Sequence, residues 1–222
     1  EKAKAESVEF LFKRGNRRQE SGDFYGALSD FSRVIEINPR NIKAYINRGN
    51  AKNKLKDYYG AISDYSKAIE INPRYREAYY NRGNAKNELK DYYGAISDYS
   101  KAIELNPSDA DAYNNRGVAK RKLGDNQGAI SDYSKAIEIN PSDADAYSNR
   151  GVAKRKLKDY YGAISDYSEA IELNPSFAAA YKNRSISKEI IGDIKGACVD
   201  AKKAVSLGDK ASDNEIWIKE TC

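Results

Sequence analysis

Between residues 42 and 75 the apolar and small positions fall in two runs. The first is Ala44, Tyr45, Gly49, Ala51 and Leu55; the second is Ala61, Ile62, Tyr65, Ala68, Ile69 and Ile71. Each run has the spacing of one buried helical face. Lys56-Asp57 breaks the pattern between them, and Asp57 is placed to cap the second helix. Asn72-Pro73 stops that helix, because proline biases the residue before it away from helical geometry. The segment predicts two antiparallel helices joined by a tight turn.

The same wording then returns along the chain. YGAISDYSKAIEINP at 59–73 recurs as YGAISDYSKAIELNP at 93–107, QGAISDYSKAIEINP at 127–141 and YGAISDYSEAIELNP at 161–175. All five prolines, Pro39, Pro73, Pro107, Pro141 and Pro175, stand 34 residues apart. A fixed period of this size means stacked copies of one supersecondary unit, so an all-α solenoid is predicted. Such an array offers an extended surface and seldom a catalytic cleft.

Numbering each unit from 1 at Val8, Ile42, Arg76, Ala110, Ala144 and Ala178 exposes a set of constant positions. Position 4 is Leu11, Tyr45, Tyr79, Tyr113, Tyr147 and Tyr181. Position 8 is Gly15, Gly49, Gly83, Gly117, Gly151 and Ser185, and position 20 is Ala in all six units. Position 24 is Phe31, Tyr65, Tyr99, Tyr133, Tyr167 and, as an exception, Ala201. These residues resemble the tetratricopeptide repeat over about nine-tenths of the chain. The resemblance implies a right-handed superhelix of six helix–turn–helix units at 8–41, 42–75, 76–109, 110–143, 144–177 and 178–211. It leaves an N-terminal extension at 1–7 and a C-terminal capping helix within 212–222. There Ser212 and Glu215 form a capping box, and Ile216, Trp217 and Ile218 are expected to cover the end of the stack.

Three positions depart from the family pattern. Position 7 is Arg in every unit (Arg14, Arg48, Arg82, Arg116, Arg150, Arg184), and position 23 is Asp in every unit (Asp30, Asp64, Asp98, Asp132, Asp166, Asp200). A cation and an anion that recur together across a hairpin predict an ion pair between its helices. Position 11 is Arg18 or Lys (Lys52, Lys86, Lys120, Lys154, Lys188). A lysine there is expected to lay its stem on apolar neighbours with its head in water.

The resemblance also implies a concave groove lined by the first helix of each unit. Position 6 in it is Asn47, Asn81, Asn115, Asn149 and Asn183. An amide both donates and accepts, so this column can grip a peptide backbone, or it can serve local packing. Position 5 supplies Phe12, Ile46 and Tyr80 in the near half; position 9 supplies Asn50 and Asn84 there, then Val118 and Val152. An apolar strip that shifts track halfway along is expected beside the amides, and Arg121 and Arg155 make the far half basic. Wording such as NRG and SDYSKAIE resembles co-chaperones that clamp an acidic terminal peptide. The clamp itself is missing, since Phe12, Glu77 and Asn81 stand where its cations belong and only Asn16 and Asn47 match.

Composition narrows the function further. The 222 residues include no His, and Ser, Asp and Lys recur only on the repeat lattice, so no catalytic constellation, metal site or cofactor is expected. There is no phosphate-binding glycine loop and no apolar run long enough for a membrane span. Net charge of +5 is too weak a field to signal nucleic acid alone. Cys198 and Cys222 are expected to be unpaired, with Cys198 a small core residue, which favours a reducing, cytoplasmic compartment. Export stays open, because the sequence does not begin with Met. The sequence thus predicts a non-enzymatic scaffold that binds a protein or peptide partner in its groove. An RNA-binding repeat and a self-associating scaffold are the alternatives.

Overall fold

The computed structural model describes residues 7–209 and 222. Among them are twelve α-helices and no strand. They pair as α1 (Val8–Glu20) with α2 (Phe24–Ile37), α3 (Ile42–Lys54) with α4 (Tyr58–Ile71), and α5 (Arg76–Glu88) with α6 (Tyr92–Leu105). These three pairs form one compact unit, which ends at Pro107. The second unit pairs α7 (Ala110–Lys122) with α8 (Asn126–Ile139), α9 (Ala144–Lys156) with α10 (Tyr160–Leu173), and α11 (Ala178–Ile190) with α12 (Ile194–Ser206). The expected cap at Ser212, Glu215, Ile216, Trp217 and Ile218 lies outside the described residues.

Each second helix starts at a capping aspartate. Asp23, Asp57, Asp91, Asp125, Asp159 and Asp193 accept a bond from the backbone N–H three residues on. The residue just before that cap has positive φ. It is glycine at Gly22, Gly124 and Gly192 but lysine at Lys56, Lys90 and Lys158. A side chain there costs about 1 kcal/mol relative to glycine. Asn38, Asn72, Asn106, Asn140 and Asn174 close the second helices just ahead of the prolines.

Position 8 is small because an aromatic ring occupies its space. A Cβ on Gly49 would lie 2.6 Å from Tyr65 Cε1, and one on Gly83 2.8 Å from Tyr99 Cε1. Those rings are fully buried. The last pair makes the reciprocal exchange. Ser185 fills position 8 where Ala201 replaces the ring, and its hydroxyl donates to the Ala197 carbonyl at 2.9 Å.

The expected pairing of position 7 with position 23 is present in all six hairpins. Arg48 Nε donates to Asp64 Oδ2 at 2.9 Å and Nη2 to Oδ1 at 2.6 Å. Arg14–Asp30, Arg82–Asp98, Arg116–Asp132, Arg150–Asp166 and Arg184–Asp200 repeat the two-pronged contact. Position 11 corrects its expectation. Its ammonium is not in open water but on the same carboxylate: Lys52 Nζ lies 2.8 Å from Asp64 Oδ2, Lys86 2.7 Å from Asp98, and Lys154 2.9 Å from Asp166. Positions 7 and 11 are one turn apart on the first helix, so both reach one aspartate.

The arginine also ties consecutive pairs. Arg48 Nη1 donates to Ser32 Oγ at 3.1 Å and Arg82 Nη1 to Ser66 Oγ at 3.0 Å in the first unit. Arg150 reaches Ser134 and Arg184 reaches Ser168 in the second. Each guanidinium from Arg48 onward also stacks on the position-4 tyrosine of its own helix, 5.5 to 5.7 Å from the ring centre.

The cysteine reading is overturned. Cys198 and Cys222 form a disulfide, with their Cα atoms 5.7 Å apart. Cys198 is half-buried rather than core. In the second repeat the equivalent residue, Ile62, packs against a core cluster that includes Ala78 and Ala85 of the next helix pair. No further pair follows α12 among the described residues, and Cys222 reaches that face instead. The bond removes the basis for favouring a reducing compartment.

Gly83→Ala is therefore expected to destabilise the chain by about 1–3 kcal/mol, because buried Tyr99 has nowhere to move. Urea denaturation followed by far-ultraviolet circular dichroism would measure it. An unchanged midpoint would show that the ring is not the constraint.

Candidate functional site

The candidate residues lie on the first helix of each pair, and most are half-buried. The asparagine column is not a free ladder. Asn47 Nδ2 donates to Asn16 Oδ1 at 2.8 Å, and Asn81 Nδ2 to Asn50 Oδ1 at 3.0 Å. In the second unit Asn149 Nδ2 donates to Asn114 Oδ1 at 3.2 Å. Each bond links one helix pair to the pair before it, so these amides stitch the stack. Asn115 and Asn183 are half-buried on the same face.

Below the amides, the position-24 tyrosines look for acceptors. Tyr65 donates to Asn50 Oδ1 at 2.8 Å and Tyr99 to Asn84 Oδ1 at 2.7 Å. Asn50 Oδ1 thus accepts from both Tyr65 and Asn81, joining a buried ring to the next repeat. Burial, with the neighbouring Asp64 charge and then Glu77, pushes the Tyr65 phenol well above the ordinary tyrosine range. Burial does the same at Tyr99, helped by Tyr80, Glu88 and Asp98.

The apolar strip is only partly a surface. Ile46 is a correction: it is 2% exposed and belongs to a core cluster with Tyr45, Ala61, Tyr65, Ala68, Ala78 and Ala85. It is buried because the neighbouring helix pair closes over it. Phe12 packs edge-on against Phe31, with ring centres 5.7 Å apart. Tyr80 leans on Tyr99 at 6.0 Å. Val118 packs against Ala129, Tyr133 and Ala153, and Val152 is half-buried at the equivalent place. Sequence reasoning placed these residues on the right helices but could not tell a groove wall from an inter-repeat contact.

At Arg121 and Arg155 the face changes character. Neither has a carboxylate partner among the described residues, and the Nε of each is buried without a hydrogen-bond partner. Burial raises the Tyr133 and Tyr167 phenols, with Arg121 pulling against it at Tyr133 and Arg155, then Arg121, at Tyr167. Position 12 as a whole was a missed signal: Gln19, Asn53 and Asn87 also hold a buried carbonyl oxygen without a partner there. Among the described residues no group of acidic, His or Cys side chains could hold a metal ion, and no helix is long and apolar enough to cross a membrane.

Helix pairs on a 34-residue lattice, with small position 8 against large position 24, define a helical repeat protein. Profiles described as TPR repeat match residues 83–124 and 119–158, and those described as tetratricopeptide repeat match 42–75 and 144–177, together more than half of the chain. The chain belongs to the tetratricopeptide repeat family. Among solved structures it is similar to MamA, at 27% identity over 77% of this chain and 93% of that one, with a TM-score of 0.71. YrrB, described as a TPR protein with an unusual peptide-binding site, shares 23% identity over 86% and 97%, with a TM-score of 0.71. PilF of Pseudomonas aeruginosa shares 16% identity over 96% and 97%, with a TM-score of 0.81. The last two likenesses show the fold alone. No match was found among curated proteins. Proteins of this family are in general scaffolds for protein–protein interaction rather than enzymes.

Asn50→Ala should strand the Tyr65 hydroxyl and the Asn81 amide together. The expected cost is about 1–3 kcal/mol, read as a lower melting temperature with native helical content. A variant as stable as the parent would show that the amide relay contributes nothing to the stack.

Proposed function

We propose that this scaffold binds an extended or helical partner segment along its first-helix face. The observation that carries the reading is the contrast between the two faces of a pair. The second helices spend their constant residues on packing, with Ala at position 20 and Asp at position 23 in every repeat and a buried Phe or Tyr at position 24 in all but the last. The first helices vary from repeat to repeat at positions 5, 9, 12 and 13 while remaining half-buried or exposed at most of them. Variation on a rigid frame is where a binding surface is written. Asn47, Asn81 and Asn149 spend one donor on the stack, so a partner meets their remaining groups and the side chains beside them.

One observation counts against end-to-end self-association through α12. Inner repeats place Ser32, Ser66, Ser134 and Ser168 to accept the next arginine, but the last repeat has exposed Lys202 at that place. A second copy stacking there would meet cation with cation.

The test is peptide selection on the immobilised full chain, using phage that display segments of the host's proteins. Selected peptides should bind at least tenfold more weakly to a Lys43→Glu, Lys54→Glu, Lys122→Glu, Lys156→Glu variant of the first helices. They should bind within twofold of parent to a Lys67→Glu, Lys101→Glu, Lys135→Glu variant of the second helices. The opposite order would move the binding surface to the second helices.

A further inference from the structure

The last helix pair leaves the common lattice at three places that share one face of α12. Position 21 is Leu28, Ile62, Ile96, Ile130 and Ile164 in the other pairs and Cys198 here. Position 18 is Tyr25, Tyr59, Tyr93, Gln127 and Tyr161 in the others and Lys195 here. Position 25 is Ser32, Ser66, Ser100, Ser134 and Ser168 in the others and Lys202 here. Residues three before and four after a helical position are its surface neighbours, so Lys195 and Lys202 flank Cys198. Both lysines are exposed. The one pair that acquires a cysteine on this face acquires two neighbouring cations with it.

A disulfide that serves only as a cross-link needs neither cation. Thiol–disulfide exchange uses them, because one sulfur leaves as a thiolate and nearby positive charge stabilises that anion. The two cysteines also differ in access: Cys222 is exposed and Cys198 is half-buried. An incoming thiolate therefore meets Cys222, and the sulfur it displaces is that of Cys198, the one beside the lysines.

We propose that the Cys198–Cys222 bond is an exchangeable latch, opened in the native fold by a small thiol that attacks Cys222. The attacking thiolate forms a mixed disulfide with the Cys222 sulfur as the protein S–S bond breaks, and Cys198 departs with the electron pair as a thiolate. A second small thiol attacks the first one's sulfur, releasing Cys222 as a thiolate. The net change is one protein disulfide reduced to two thiols and two small thiols oxidised to their own disulfide. An excess of that small disulfide runs the same steps backward and closes the latch.

Opening is local. The bond holds Cys222 to a residue 24 positions earlier in the chain. Other contacts fasten α12 without it: Lys182 on α11 lies 3.3 Å from Asp209, and Arg184 and Lys188 both hold buried Asp200. Reduction thus frees Cys222 while the helix pair stays in place, and the outer face of the last pair is no longer tied to the chain beyond it.

The experiment uses the full chain, oxidised with glutathione disulfide and checked by peptide mapping. The reductant is 2-mercaptoethanol, an uncharged thiol, so the lysines act on the leaving sulfur and not by steering the reagent. Freed thiols are alkylated with iodoacetamide and located by mass spectrometry. The opening rate should rise in proportion to thiol concentration, with the far-ultraviolet circular dichroism unchanged. Early in the reaction the mercaptoethanol adduct should sit on Cys222 and the alkyl group on Cys198. The Lys195→Gln, Lys202→Ser variant, which carries the residues of the fourth repeat at those positions, should open about threefold more slowly or slower still. A Lys101→Gln, Lys135→Gln variant should open at the parent rate. A folding defect would speed opening, so slowing reads the lysines themselves. Any of four results would overturn the proposal: cysteines that do not pair, a rate that levels off at the rate of global unfolding, an early adduct on Cys198, or an unchanged rate in the Lys195→Gln, Lys202→Ser variant.

Discussion

Everything in this chain is built around one aspartate in each helix pair. Asp64 and its equivalents are almost completely buried, which no carboxylate tolerates without partners. The arginine supplies a two-pronged contact from the facing helix, and the lysine one turn later supplies a second cation. The same arginine reaches back to a serine of the preceding pair and stacks on its own helix's tyrosine. One guanidinium therefore sets the register within a hairpin and the contact between hairpins. An apolar pair of equal volume could be as stable, because desolvation takes back much of an ion pair's attraction. What the fork adds is geometry, since both prongs bond only when position 7 faces position 23.

With register held from inside, other positions are free to differ. The glycine that admits a tyrosine ring in four repeats, and a phenylalanine in the first, gives way to Ser185 once Ala201 removes the ring. Position 9 holds a tyrosine hydroxyl through Asn50 and Asn84, then abandons that role at Val118 and Val152. Position 12 turns from amide to guanidinium at the same point. The frame repeats while the first-helix face does not, and a scaffold needs that division of labour to recognise one partner among many.

The architecture was legible because its signals are periodic. The 34-residue proline lattice, the Asp caps and the joint recurrence of Arg and Asp each read out a local rule six times or nearly so. The position-11 lysine was misread because nothing in one helix shows that a buried anion on the other has room for a second cation. Ile46 was misread for a related reason, since helical spacing gives a face but not which neighbour closes over it. The asparagine column was open to two readings, and only the Asn47–Asn16 and Asn81–Asn50 distances reveal the stitching role. The Cys198–Cys222 bond joins residues 24 apart, and Cys222 lies beyond the last repeat, where no periodic pattern tells which residue it meets.

The central claim is that arginine and aspartate act as one element within each pair. A double-mutant cycle on Arg82→Met and Asp98→Leu, read by chemical denaturation, tests it directly. The account predicts that Asp98→Leu is the costlier single change, about 3–5 kcal/mol, because it strands Arg82 and Lys86 together. Arg82→Met should cost less, because Lys86 still holds the carboxylate. The double variant should be at least about 2 kcal/mol more stable than the sum of the two losses. Losses that add to within about 0.5 kcal/mol would contradict the account, showing two independent side chains rather than one coupled pair.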